Sequence, residues 1–470
     1  MKKQLLFLSE LSLFSFILMM PMFAMAEAVE INGINYNLVT KDDANIAEVI
    51  SRPEKYSGSI VIPETVIYNE IVYSVTSVGN SAFYWCSELT SISIPDNVTS
   101  IGSYCFAYCS NLSNVSLSNN LSALGMGAFA GCSKLESTTV PGSIGILESS
   151  VFQNCTGLKS VVLSEGITEI SHIAFNGCTS LISIALPSSL SKIESAFSGC
   201  SSLESIILPK NLTTVNGSAF SGCSSLKELI IEDGESELFF SNPYKTSNIV
   251  CFSDCPLEKI YIGRNIGRDK NATLFVDNKT LKDVSFGEHV TTINSSEFYG
   301  CENLSSLTFS KSINTISSNA FNGCSSLKKI VIPNNVMYIG GLAFYLCDNL
   351  NEVTFEDGNT ELVFGTEYDN RSWCFSGPIN KVYLGRNVSC RFSPFTNVTN
   401  AFEVTIGKLV TELSGGIFAS LKGISRLIIE ANSEPLVFEE FYYSYQNTFM
   451  PFRNTPIESI YLYLNGCKQP

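Results

Sequence analysis

Sixteen cysteines and two histidines give this 470-residue chain its widest chemical reach. A thiol can close a disulfide, hold zinc or, as a thiolate, attack an electrophile, and spacing decides among these. Eleven of the cysteines (Cys86, Cys109, Cys132, Cys155, Cys178, Cys200, Cys223, Cys255, Cys301, Cys324 and Cys347) stand three residues after a phenylalanine, in one recurring slot. In a stack of equivalent coils such residues point the same way, roughly 5 Å apart, one strand spacing. That separation permits a disulfide, but parallel Cβ vectors do not suit one. Asn278, Val398, Leu421 and Thr455 occupy the same slot, so it asks for a small or apolar filler. The ladder therefore reads as buried free thiols. Zinc would need clustered cysteine pairs with further ligands. His172 lies in a polar connector and His289 in a turn before Val290, neither beside a nucleophile motif. The expectation is a protein that is not an enzyme and takes no cofactor or metal.

Recognition chemistry is better represented. Three stretches are rich in aromatic residues: Phe239, Phe240 and Tyr244; Phe364, Tyr368 and Trp373; and Phe438, Phe441, Tyr442, Tyr443 and Tyr445. Large rigid rings lose little entropy on binding, so aromatic loops on a rigid body suit protein or sugar recognition. Phe240, Tyr244, Tyr368, Trp373, Tyr442, Tyr443 and Tyr445 are the candidates here. The competing expectation for Phe240, Phe364 and Phe438 is that they fold back to fill a widened coil. Consecutive tyrosines at 442 and 443 cannot all point inward. The acidic runs beginning at Glu232 and Glu356 suggest calcium, but Asp-Gly is itself a turn signal and the third copy carries Ala431 instead.

A second candidate is a stripe of outward strand residues: Ser93, Ser116, Thr139, Val162, Ala185, Ile207 and Ile230. Val162, Ile207 and Ile230, with Ala185, would expose on the order of 300 Å² of apolar surface, as a docking face or as strand propensity with partial shielding.

These residues are positioned by a repeat. Ile313 to Pro333 reads INTISSNAFNGCSSLKKIVIP, with apolar or small residues at Ile313, Ile316, Ala320, Phe321, Cys324, Leu327, Ile330 and Ile332. A fixed period with fixed apolar slots means stacked coils sharing one core. The spine runs Phe83, Phe106, Phe129, Phe152, Phe175, Phe197, Phe220, Phe252, Phe275, Phe298, Phe321, Phe344, Phe375, Phe395, Phe418 and Phe452, mostly 23 residues apart. The Ile-x-Ile alternation is a short parallel strand ended by proline, and the Ser/Asn-rich step before Ala-Phe can hold one helical turn. The fold class expected is a mostly β repeat solenoid about 75 Å long. Three steps are lengthened, to Phe252, Phe375 and Phe452, by 32, 31 and 34 residues. Each opens alike (Ile231-Glu-Asp-Gly, Phe355-Glu-Asp-Gly, Ile429-Glu-Ala-Asn), so the insertions should share one place in the coil. Residues 27–74 read as an N-terminal β cap, 75–464 as the solenoid and 465–470 as a tail.

Residues 1–26 carry Lys2, Lys3, an apolar run broken by Glu10, and Ala24-Met25-Ala26, the pattern of a cleaved export signal. Its removal leaves 27 basic and 43 acidic residues. Such a surface repels phosphate backbones and anionic lipids, so nucleic acid and membrane insertion are poor expectations. The expected location is secreted or cell surface.

The pattern Ala-Phe-x-x-Cys-x-x-Leu-x-x-Ile-x-Ile-Pro, with Val-x-x-Ile leading to the next Ala-Phe, resembles the BspA-like, treponemal-type leucine-rich repeats over about residues 75 to 464. The resemblance implies a leucine-rich-repeat fold and a non-enzymatic adhesion protein that binds a host or bacterial partner, a protein or glycan at a cell surface or matrix. The alternative is a structural spacer or coat element with no specific ligand.

Overall fold

The computed structural model describes residues 27–41, 44–241, 249–269, 272–365, 373–390, 393–395, 398, 401–413, 415–419, 421, 423–431, 434–438, 441–444, 447–449, 451–452, 455–464 and 467–469. The expected export signal lies outside them.

Each coil has three sides. The Ile-x-Ile segment forms a strand of a first parallel sheet, as in Ser205–Leu208 paired in register with Glu228–Ile231 and then Lys259–Arg264. The Val-x-x-Ile segment forms a shorter strand of a second parallel sheet, as in Glu169–Ile170, Lys192–Glu194 and Thr214–Asn216. The third side is an edge of turns around the Ala-Phe pair. Its backbone also bonds from coil to coil: Phe83 N–H to the Cys105 carbonyl at 2.8 Å, and Phe106 N–H to that of Ala128 at 2.7 Å.

The helical turn expected before Ala-Phe is a chain of tight turns. Tyr84 N–H reaches the Ser81 carbonyl and Cys86 N–H that of Phe83, each three residues back. The cause is a residue in the left-handed region on either side of the phenylalanine. Ser81 and Trp85 flank Phe83, Asn319 and Gly323 flank Phe321, with φ between 55° and 80°. Left-handed residues at that spacing interrupt a right-handed helix and turn the intervening ring inward.

The phenylalanines form one column. All sixteen stack on their neighbours, from Phe83 on Phe106 at 5.1 Å between centroids to Phe418 on Phe452 at 5.3 Å. The N-terminal segment covers the open end with Tyr56, whose buried ring lies 4.5 Å from Phe83. The Arg52 guanidinium lies over the Tyr56 ring. Strands Glu27–Ile31 and Ile34–Lys41 form a hairpin about Asn32-Gly33, and Ala44–Ile50 carries the second sheet from that hairpin to Ile71–Val78. At the other end Cys467–Gln469 folds back antiparallel on Ile460–Leu464.

The cysteine slot does more than fill space. Each thiol after the first donates to the carbonyl of the preceding coil's phenylalanine, as Cys109 does to Phe83 at 3.1 Å and Cys200 to Phe175 at 3.2 Å. Thr455 does the same with its hydroxyl, to Phe418 at 2.6 Å. The cysteines and Thr455 thus add a donor to a slot that Val398 and Leu421 fill with buried apolar side chains alone. The cysteines of the ladder are free and buried.

Candidate binding surfaces

The outward row on the first sheet falls into two paired runs on successive coils, with no strand pairing between the described residues Ala185 and Ile207. Val162 bridges to Ala185, and Ile207 pairs with Ile230, which pairs with Tyr261. Val162 is 57% and Ile207 48% exposed, while Ile230 is half-buried. Among the described residues one ladder of this sheet ends at Asn114–Ser116 and the next begins at Ser137–Val140. There a depression of about 700 Å³ opens, lined by Ser116, Ser118, Asn119, Thr139 and Val162 among others. Hydroxyls and amides thus meet the apolar row at Val162.

The lengthened coils are built otherwise than their opening residues suggest. From Leu208 to Val215 an ordinary coil takes seven steps between the sheets, and from Ile231 to Phe240, Val215's register partner, it takes nine. Two extra residues therefore sit at Glu-Asp-Gly, and the remainder lies between the second-sheet strand and the spine phenylalanine. Phe240 and Phe364 pair in register with the inward Val215 and Ile339 and are buried. Phe240 packs 6.1 Å from Phe252, so it is a core residue and not a ligand contact. Phe438, paired with Leu413, is exposed. Trp373 is exposed, its carbonyl accepting from Leu342 N–H at 2.6 Å. Tyr244, Tyr368 and Tyr445 lie outside the described residues. Tyr442 falls in a hairpin of Phe441–Ser444 with Asn447–Phe449, opposite Thr448, and Tyr443 belongs to the same strand.

The widened Glu-Asp-Gly turn is held by the following coil. Tyr261 donates its hydroxyl to both carboxylate oxygens of Asp233 at 2.9 Å, and Tyr383 donates to Asp357 at 2.7 Å. Burial first, then the bond to Asp233, pushes the Tyr261 phenol up to about 12. Beneath each turn lies a fully buried arginine. Arg386 donates to the carbonyls of Pro333, Asn334 and Val336 at 2.6–2.9 Å, and Arg264 to those of Pro209, Lys210 and Ser236. Burial pulls the Arg386 guanidinium down to about 10, which still leaves it charged at neutral pH. In the third lengthened coil Ala431 and Leu464 replace this aspartate and arginine. The acidic runs are anchoring turns.

Sequence reasoning missed one surface altogether. On the turn edge of the first two coils, Tyr84, Trp85, Tyr104 and Tyr108 are all exposed, between 37% and 55%. Trp85 and Tyr108 lie 5.2 Å apart with planes 35° from parallel, and Tyr84 stands at 82° to Tyr108, 5.9 Å away. The signal was legible: Phe83-Tyr-Trp-Cys and Phe106-Ala-Tyr-Cys stand where later coils read Phe197-Ser-Gly-Cys and Phe220-Ser-Gly-Cys. His172 and His289 are exposed and belong to different coils.

Stacked parallel strands around a single ring column define a leucine-rich-repeat solenoid. The sequence model of the BspA type leucine rich repeat region (6 copies) matches residues 76–195, 125–249 and 245–368, more than half the chain, and the chain belongs to that family. Similar solved structures include a leucine-rich repeat protein from Bacteroides ovatus (24% identity over 80% of this chain and 94% of that one, TM-score 0.46). A leucine rich cell surface protein from Faecalibacterium prausnitzii matches at 24% identity over 77% of this chain and 95% of that one, with a TM-score of 0.39. The pneumococcal vaccine antigen PcpA matches at 17% identity over 88% and 98%, with a TM-score of 0.34. No curated protein matches the chain.

Proposed function

We propose that this chain is an exported, non-enzymatic binding protein of the adhesion kind, engaging a protein or glycan of a cell surface or matrix through its first sheet. Membership of the BspA-type family supports a binding role, and the signal-like residues 1–26 support export. The observation that carries the reading is the exposed row Val162, Ala185 and Ile207 running into the polar depression at Ser116 and Thr139. Apolar contact at the centre with hydroxyls and amides at the rim is the composition of a recognition surface. A flat sheet held at one-strand spacing also repeats each contact along its length, which turns weak contacts into avidity.

The test is capture by immobilised matrix proteins and glycans, comparing the natural chain with Val162→Glu/Ile207→Glu and with Tyr442→Ser/Tyr443→Ser/Tyr445→Ser. Loss of capture in the first variant is expected, and capture unchanged in both overturns the assignment. The unbroken ring column favours a second reading, a spacer holding other material at a distance. Retention of no ligand by the natural chain is the outcome that selects it.

A further inference from the structure

We propose that the turn edge of the first two coils carries a second binding site, separate from the sheet face, in which Trp85 and Tyr108 stack against an uncharged pyranose-based glycan. The proposal does not depend on the sheet-face reading.

The rings are placed, not scattered. Trp85 and Tyr108 occupy the same slot, two residues after the spine phenylalanine, in successive coils, so they lie in file along the stack. In the next coil that slot is Gly131, and a Cβ there would meet the Tyr108 ring at 2.7 Å. Tyr104 is seated likewise over Gly127, where a Cβ would come within 2.6 Å of its ring. Glycine thus vacates the space into which each tyrosine lies. Trp85, Tyr104 and Tyr108 all hold φ between 54° and 61°, a region that bulky side chains rarely adopt. Later coils put Gly177, Gly199, Gly222 and Gly323 in the slot of Trp85 and Tyr108. The left-handed backbone belongs to the repeat, since Leu346 holds the same slot at φ 55°; what sets the first two coils apart is a cluster of exposed rings in mutual contact where most later coils carry a small or polar residue.

Three properties select the ligand. First, the four side chains are uncharged and exposed, and aromatic rings carrying phenolic hydroxyls match a pyranose, whose C–H face is apolar and whose hydroxyls radiate in its plane. Second, the patch exposes roughly 350 Å², under half of the about 800 Å² that one partner brings to a standard protein interface. That area suits one or two sugar units better than a folded protein. Third, nucleobases also stack on such platforms, but those sites need a positive groove for the phosphates, and this chain has a net charge of −15. The ammonium of nearby Lys55 is engaged by the Tyr84 carbonyl at 2.8 Å.

The experiment uses affinity electrophoresis of the full mature chain through gels containing soluble β-glucan, xylan, galactomannan or starch. At least one polysaccharide is expected to retard the natural chain, and Trp85→Gly and Tyr108→Gly should each weaken retardation tenfold or more. Both variants place the residue that later coils already use, so folding is preserved, and a circular-dichroism melt verifies it. Trp373→Phe leaves Trp85 as the sole tryptophan, and the retained polysaccharide should then shield its emission from acrylamide. Retardation by none of the four, or retardation unchanged in the folded glycine variants, overturns the proposal. So does capture of protein ligands, with no polysaccharide retained, that the same substitutions abolish. Loss of sheet-face capture in Val162→Glu/Ile207→Glu with retardation intact separates this site from the first.

Discussion

At Cys200 the thiol is both a core filler and a donor to Phe175, whose carbonyl also accepts the N–H of Cys178. Because that carbonyl keeps a partner without the thiol, Cys200→Val should cost only about 1 kcal/mol in a urea unfolding curve. Burial pushes the thiols of Cys109, Cys200 and Cys301 up to about 12. An unfolded thiol ionises near pH 8.5, so what these protonated thiols contribute is intact below about pH 8.5 and is lost as pH rises toward 12. Stability at pH 10 should therefore fall well below that at pH 7, with iodoacetamide labelling appearing only as the chain unfolds. Stability that stays flat across this range would contradict buried thiols. The slot was legible as buried from its periodicity. Its donor role was not, since a sequence names the residue but not the carbonyl it faces. Trp85→Gly should change stability by less than about 1 kcal/mol, because relief of the left-handed backbone offsets the lost ring contact.

Among the elements, the lengthened coils show where reading by pattern stops. Their shared openings, Ile231-Glu-Asp-Gly and Phe355-Glu-Asp-Gly, were plain, but the extra residues divide between two places in the coil. Alignment on a conspicuous turn assigns the whole insertion to that turn, whereas strand register decides its position. The same register explains why Phe240 and Phe364 are core and not recognition residues: the two added residues keep the phase, so each ring lands on an inward position. Arg386 was missed because its partners are carbonyls some fifty residues back, where side-chain pairing rules give no cue. Its replacement by Ala strips donors from three carbonyls. Arg386→Ala should lower stability by about 3 kcal/mol by chemical denaturation. A loss below about 0.5 kcal/mol would show the turn to be self-supporting.

For the whole molecule, the spacing of the phenylalanines was enough to give the architecture, since a period of 23 with a constant apolar slot admits little besides a stack. The edge aromatics stayed hidden for the converse reason: they depart from the period, and attention to repetition discards departures. Phe197→Ala, in mid-column between rings at 5.2 and 5.4 Å, should cost about 3–5 kcal/mol. Hydrogen exchange should show the loss spreading to the adjoining coils and fading with distance, since each coil touches only its neighbours.

The ring of Tyr56, closed over by Arg52, has a mechanical corollary. A rod whose interior surfaces are all alike has no preferred place to break, so tension should peel it from whichever extremity is less well sealed. Each 23-residue turn set free would lengthen the tether by roughly 80 Å. In an optical trap that is a regular staircase, and loosening the Arg52 seal should make its first step come at lower force. Under load such a rod behaves as a yielding line that extends in increments before it parts.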